Sequence, residues 1–284
     1  MVGPDQKALT SKAAYLKTRW PIYTEMIDWL VELLCEVYGA EERVRLPETS
    51  WDRSLLLQRI RSGKSLFRGR TVPIDMEITR DLYKTLVTKT ERRRGKLEGL
   101  GSLLSGSYDE ARNILDAVLT WESETLMSIC HKRGVDASLV GLMMRIALRP
   151  SMQQLSRRAK EELDLAEWRS GNCPVCGSWP GLAKLDEGDK PRSLYCSLCE
   201  TSWSFPRFKC PFCENSQQGG LSYLYAEEEK GLRLDLCECC GQGIGTLDAR
   251  YYDSPVIPLL DQLVISHLTL VANGETCTDI FQKI

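Results

Sequence analysis

Four pairs of cysteines with two residues between the members of each pair stand in one stretch of the chain: Cys173 and Cys176, Cys196 and Cys199, Cys210 and Cys213, Cys237 and Cys240. A Cys-x-x-Cys pair offers two thiolates to one tetrahedral ion, and two such pairs close a four-sulfur site. Eight cysteines therefore make two sites. Taken in order, the first closes a loop of 19 residues between Cys176 and Cys196, and the second a loop of 23 between Cys213 and Cys237. Pro174 and Pro211 follow the first thiol of their pairs and preset a tight turn. Gly177 and Gly241 follow the last thiol, where the chain must curl around an ion at positive φ. Four soft sulfurs in a tetrahedron suit zinc and iron alike, and both stay open as the occupant.

The rival use of so many cysteines is disulfide bonding. The chain opens Met1-Val2-Gly3-Pro4-Asp5, polar and without an apolar signal core, which predicts a cytoplasmic, reducing location. Cys239 lies between the members of the last pair, but spacing and Gly241 favour Cys240 as the ligand. Cys35 and Cys130 fall on apolar helical stripes and read as buried thiols. Cys277 carries no motif. Neither His131 nor His267 has a partner at catalytic spacing, and no phosphate-cradling glycine loop is present, so the residues predict no enzyme.

Charge narrows the partners. Residues 1–172 carry 28 Lys/Arg against 24 Asp/Glu, whereas residues 173–284 carry 9 against 15, a difference of +4 against −6. A divalent ion in four thiolates adds a further −2 per site. Between Cys173 and Cys240 there are 7 basic and 10 acidic residues, the wrong sign for a zinc ribbon that binds nucleic acid through its phosphates. The run Arg92-Arg93-Arg94 with Lys96 is flanked by Glu91 and Glu98 and reads as a solvated helix face. Trp179, Trp203, Phe205, Phe208 and Phe212 gather near the cysteines. They either shield the sulfurs or recognise a protein partner, with Arg192, Trp203 and Arg207 as candidates for that surface.

The elements that must position these groups change type near Ser170-Gly171-Asn172. Before it, apolar residues recur at helical spacing: from Pro21 to Gly39, from the capping box Ser107/Glu110 through Trp121 to Ile129, from Asp136 to Ile146, and from Met152 to Leu163 after a break at Arg149-Pro150. Further helices are expected over 51–61, 75–88 and 90–104. After the boundary, short β-type runs at 193–195, 203–205 and 221–225 alternate with the cysteine pairs. A helix over 257–271 closes the chain; Asp261, Gln262 and His267 interrupt it, so it is read as buried and not as a membrane span. The expectation is an α+β chain: a helical domain over 1–170, four-cysteine metal modules over 171–207 and 208–252, and a C-terminal helix and tail over 253–284.

At the level of motifs, the chain resembles the formate dehydrogenase accessory proteins of the FdhE type. The likeness rests on Cys173-Pro174-Val175-Cys176-Gly177-Ser178 with Pro180, on Leu194 to Thr201 with Trp203, on Arg207 and Lys209 to Cys213, and on Cys237 to Gly241 with Asp248. It implies two rubredoxin-like knuckles after a helical part. It also implies a cytoplasmic role in assembling formate dehydrogenase, by binding the catalytic subunit and not by turning over formate. Where the family tends toward Tyr-Leu-Lys after Gly241, this chain has Gly243-Ile244-Gly245. Two other functions are weighed beside it, the nucleic-acid ribbon disfavoured by charge and a rubredoxin-like electron carrier or thiol-exchange protein. Self-association stays open.

Overall fold

The computed structural model describes residues 6–47, 51–120, 123–188, 190–217 and 219–274. Its helices are α1 (Gln6–Arg19), α2 (Thr24–Glu41), α3 (Arg53–Arg61), α4 (Met76–Arg94), α5 (Tyr108–Thr120), α6 (Ser123–Arg133), α7 (Ala137–Glu162) and α8 (Pro258–Ala272). Its strands are β1 (Pro180–Leu185), β2 (Arg192–Cys196), β3 (Ser202–Phe205), β4 (Leu221–Leu224), β5 (Leu232–Cys237) and β6 (Gly243–Asp248). The architecture is thus a helical N-terminal region, a sheet region carrying the two cysteine groups, and a C-terminal helix, as the sequence predicts.

Acidic side chains start several helices by satisfying free amides of the first turn. Asp52 accepts from the amides of Ser54 and Leu55, Asp75 from Ile78 and Asp136 from Leu139. At α5 the capping box forms in both directions: the Ser107 amide donates to Glu110 at 3.0 Å, and the Glu110 amide to Ser107 Oγ at 3.2 Å.

Four expectations need correction. No helix spans 90–104: α4 ends at Arg94 because Gly95 turns to φ 83°, and only a 3-10 turn at Leu100–Ser102 follows. The stripe expected as one helix to Ile129 is two, α5 and α6, and Trp121 lies outside the described residues. Arg149-Pro150 does not break the chain, since α7 runs through Pro150. Proline removes one amide donor there, but Ile146, Ala147, Leu148, Met152 and Leu155 are all buried, so packing on both sides outweighs the lost rung. Finally, α1 was not expected. Its buried stripe is Leu9, Lys12, Ala13 and Leu16, and the lysine hides the periodicity.

Each half of the sheet repeats one plan. A cysteine pair precedes the first strand, a second pair ends the second strand, and a third strand follows. Strands β1, β2 and β3 form one antiparallel set, β4, β5 and β6 the other. The sets join edge to edge through a parallel pairing of β1 with β6, where Ala183 faces Thr246 and Leu185 faces Asp248. One six-stranded sheet results, in the order β3-β2-β1-β6-β5-β4.

Helix α8 packs on this sheet through Leu260, Val264, Ile265 and Leu268. Gly245 makes the approach possible: a Cβ there would stand 2.8 Å from Ile265 Cγ2. The departure Gly243-Ile244-Gly245 is therefore a strand seated under a helix. At its start α8 holds a fully buried charge pair with α1. Lys12 Nζ lies 2.6 Å from Asp261 Oδ1 and also donates to Tyr252 Oη at 2.9 Å and to the Pro255 carbonyl at 2.8 Å. The other Asp261 oxygen accepts the Ile257 amide at 2.7 Å. Among the described residues no helix is long and apolar enough to cross a membrane.

Candidate metal centres

The four turns that carry the cysteine pairs share one backbone. In each, the amide of the first cysteine donates to the carbonyl five residues on: Cys173 to Ser178, Cys196 to Thr201, Cys210 to Asn215 and Cys237 to Gln242, at 2.8 to 3.0 Å. The residue after the second cysteine is left-handed in all four, at φ 81° for Gly177, 58° for Glu200, 62° for Glu214 and 70° for Gly241. Sequence reasoning found the two glycines and missed the two glutamates, for which positive φ is costly. Their side chains help hold them, Glu200 by Arg149 and Gln153 of α7, and Glu214 by Lys209 at 2.7 Å.

These turns bring the sulfurs together in the order expected. Cys173, Cys176, Cys196 and Cys199 form one group and Cys210, Cys213, Cys237 and Cys240 the other, the sulfurs of each lying within 4.8 Å of one another. Nearest pairs are Cys176 to Cys196 at 3.3 Å and Cys173 to Cys199 at 3.5 Å in the first, and Cys213 to Cys237 at 3.6 Å and Cys210 to Cys240 at 3.7 Å in the second. A tetrahedron with metal–sulfur bonds of ~2.3 Å has edges of about 3.8 Å, so both groups fit a four-thiolate ion with little movement. Cys239 is exposed and outside the second group, and Cys130 is buried in the helical part. Cys277 lies outside the described residues.

The surroundings favour thiolate at one cysteine of each group, Cys196 and Cys237, while burial pushes the thiols of Cys173, Cys199, Cys210 and Cys240 up. Backbone amides of Leu198 and Cys199 donate to Cys196 Sγ at 3.3 and 3.4 Å, and that of Phe212 to Cys210 Sγ at 3.4 Å. Burial pushes the Cys196 thiol up, yet bonds from Cys173, Cys176 and Cys199 and the Cys199 amide together hold it well below the usual range. Burial likewise opposes ionisation of Cys237, but the Cys240 and Cys239 amides and the neighbouring thiols hold it at about 7.

The two groups differ in cover. All four cysteines of the first are buried, and the helical part grips their turns: the amides of Leu66 and Phe67 donate to the carbonyls of Pro174 and Val175 at 2.8 and 3.0 Å. Gly177 packs so close to Arg68 that a Cβ would stand 2.7 Å from Arg68 Cβ. From α7, Ser156 Oγ lies 2.6 Å from Thr201 Oγ1, which lies 3.0 Å from Cys199 Sγ. In the second group Cys213 and Cys240 reach solvent. Thiolates bind metal and thiols do not, so acid must displace the ions. On titration with acid in the presence of a chromophoric chelator, one equivalent is expected to leave first, from the open group, and the second only at lower pH; simultaneous release of both would contradict this difference in cover.

The three residues expected on a partner-facing surface are placed differently from one another. Arg192 is buried, paired with Asp235 at 3.1 Å and donating to the Lys209 carbonyl. Trp203 is buried and donates to the Ser170 carbonyl at 3.2 Å. Both tie structure together. Arg207, half-buried, donates to the carbonyls of Lys190 and Asp186.

Fold and site together define a class: a helical protein whose appended sheet carries two duplicated four-thiolate knuckles. Comparison with known proteins agrees. The family described as "FdhE, central domain" matches residues 172–207. A "Protein FdhE homolog" of Aquifex aeolicus (strain VF5) is 27% identical over 154 residues, covering 53% of this chain and 53% of the relative. Another, of Haemophilus ducreyi, is 30% identical over 170 residues, covering 59% and 52%. "Protein FdhE" of Escherichia coli O1:K1 is 40% identical over 72 residues, covering 24% and 23%. These alignments span about half the length of the first two curated relatives. The crystal structure of the FdhE protein from Pseudomonas aeruginosa superposes with a TM-score of 0.67 over 95% of this chain and 93% of that one; at 17% identity the likeness is one of fold. The chain is thus similar to FdhE proteins, in sequence over part of its length and in fold over nearly all of it.

Proposed function

We propose that the protein is an accessory factor for formate dehydrogenase that works in the cytoplasm as a client-specific chaperone, binding the catalytic subunit during maturation and catalysing no reaction itself. The eight paired cysteines hold two ions, zinc or iron, and the ions stiffen the sheet. What supports this reading is the closure of both quartets. Each already offers four sulfurs, so a bound ion has no open position for substrate, and a structural, presenting role is what remains. The −6 charge of the cysteine half supports a protein partner over nucleic acid.

The test is co-purification with the catalytic subunit together with a deletion strain. Capture of the subunit and loss of most formate dehydrogenase activity on deletion are expected; undiminished formate oxidation in the deletion strain would reject the proposal. Solvent access to Cys213 and Cys240 favours one second reading, an iron-bearing electron carrier. A red protein with two irons per chain that cycles reversibly between oxidation states would support that reading.

A further inference from the structure

A concavity of about 500 Å³ lies beside the second cysteine group, with Cys210 and Cys237 in its wall. Its volume falls in the range of ligand sites. Four guanidinium groups line it, Arg192, Arg207, Arg233 and Arg250, against the carboxylates of Asp186, Asp235 and Asp248. The pairing is uneven. Arg250 is matched by Asp248, while Arg192 and Arg233 share Asp235. Asp186 pairs with Lys184, and Arg207 donates to two backbone carbonyls and has no carboxylate partner among the described residues. Arg207 is thus without a carboxylate, and Arg192 and Arg233 have one between them, in a concavity whose wall also carries Cys210 and Cys237 of the second group. Arg192 is 2% exposed, and its Nε meets no acceptor.

The rim of this concavity is aromatic and open. Phe208 is 82% exposed and Tyr223 60%, and Tyr225 beside it is 55% exposed, its ring 5.9 Å from that of Tyr223. Exposed aromatic side chains with arginine are the composition of protein-recognition sites. Tyr223 lies on β4, which ends the sheet and pairs with β5 alone among the described strands. A free edge accepts an added strand.

We propose that this concavity and the adjoining edge of β4 bind an extended segment of the client polypeptide in which a carboxylate stands next to an apolar side chain. The carboxylate meets Arg207 and Arg233, the apolar side chain packs among Phe208 and Tyr223, and the backbone adds to β4. The inference rests on the client-binding reading above and assigns it a surface.

The test uses full-length, metal-loaded protein and the formate dehydrogenase catalytic subunit. In a capture assay, Arg207→Glu with Arg233→Glu is expected to lower recovery of the subunit at least about ten-fold, while Arg92→Glu on α4 leaves it unchanged. Undiminished capture by the double variant would overturn the surface and leave the client reading standing; no capture by the unaltered protein would overturn both. Metal content and circular dichroism show whether the double variant is folded. If it is not, a photo-crosslinking residue at Phe208 decides in its place, with one at Ile22 on the helical part as reference. Crosslinks from 208, mapped to an acidic and apolar segment, support the proposal; crosslinks from 22 alone, or to a basic segment, overturn it.

Discussion

Replacing Cys196 and Cys199 together by alanine is expected to lower bound metal from two ions per chain to one and to unfold the sheet around the first cysteine group. A structural zinc site supplies about 10–16 kcal/mol in small domains, comparable to the whole stability of a typical domain, ~5–15 kcal/mol. The first group is buried, its turns are gripped by Leu66 and Phe67, and Thr201 links Cys199 to α7. Losing its ion therefore removes the support of β1 to β3 and loosens their seat on the helices. The corresponding change at Cys213 and Cys240, which reach solvent, removes one ion as well but leaves that seat intact. Metal analysis and hydrogen exchange over residues 173–205 distinguish the two: protection there should collapse in the first variant and persist in the second. Equal protection in both would refute the structural role of the buried group.

The second large effect concerns Lys12 and Asp261, whose side chains are 1% and 0% exposed. Burial lowers the pKa of Lys12 and raises that of Asp261, each opposed by the partner's charge, so neither is comfortable alone. Removing one partner of a buried pair costs about 3–5 kcal/mol, because the other charge is left without a counter-ion. Lys12→Met is thus expected to lower the melting temperature by roughly 10 °C. The double change Lys12→Met with Asp261→Leu should recover much of that loss, since two apolar groups need no partners. The double change still leaves Tyr252 Oη and the Ile257 amide without Asp261, so recovery falls short of complete. Thermal unfolding of the single and double variants measures both; a single variant within about 1 kcal/mol of the parent would contradict the account.

What could be read from the sequence follows how local the determining interaction is. Cysteine spacing is local, and it was enough to foresee two groups of four in their order. Helix starts were legible where an acidic cap or capping box announces them, as at Asp136 and Ser107. The single stripe read through Trp121 missed the division into α5 and α6. The break predicted at Pro150 was wrong because burial along α7 decides the matter, and burial belongs to the fold as a whole. Helix α1 escaped notice because the residue completing its stripe is a lysine whose counter-ion lies 249 positions away at Asp261. The same distance problem hid the parallel pairing of β1 with β6, which turns two repeats into one sheet. Positive φ at Glu200 and Glu214 had a signal, since both occupy the place held by Gly177 and Gly241 in a repeated turn.

The central claim is that two cages of four sulfurs each hold the sheet rigid, and metal content with sulfur coordination tests it most directly. Protein isolated without added metal should carry two ions per chain, zinc or iron, and X-ray absorption should show four sulfur neighbours at ~2.3 Å around each. A folded, metal-free chain whose eight thiols react freely, or an ion bound by oxygen and nitrogen, would contradict it.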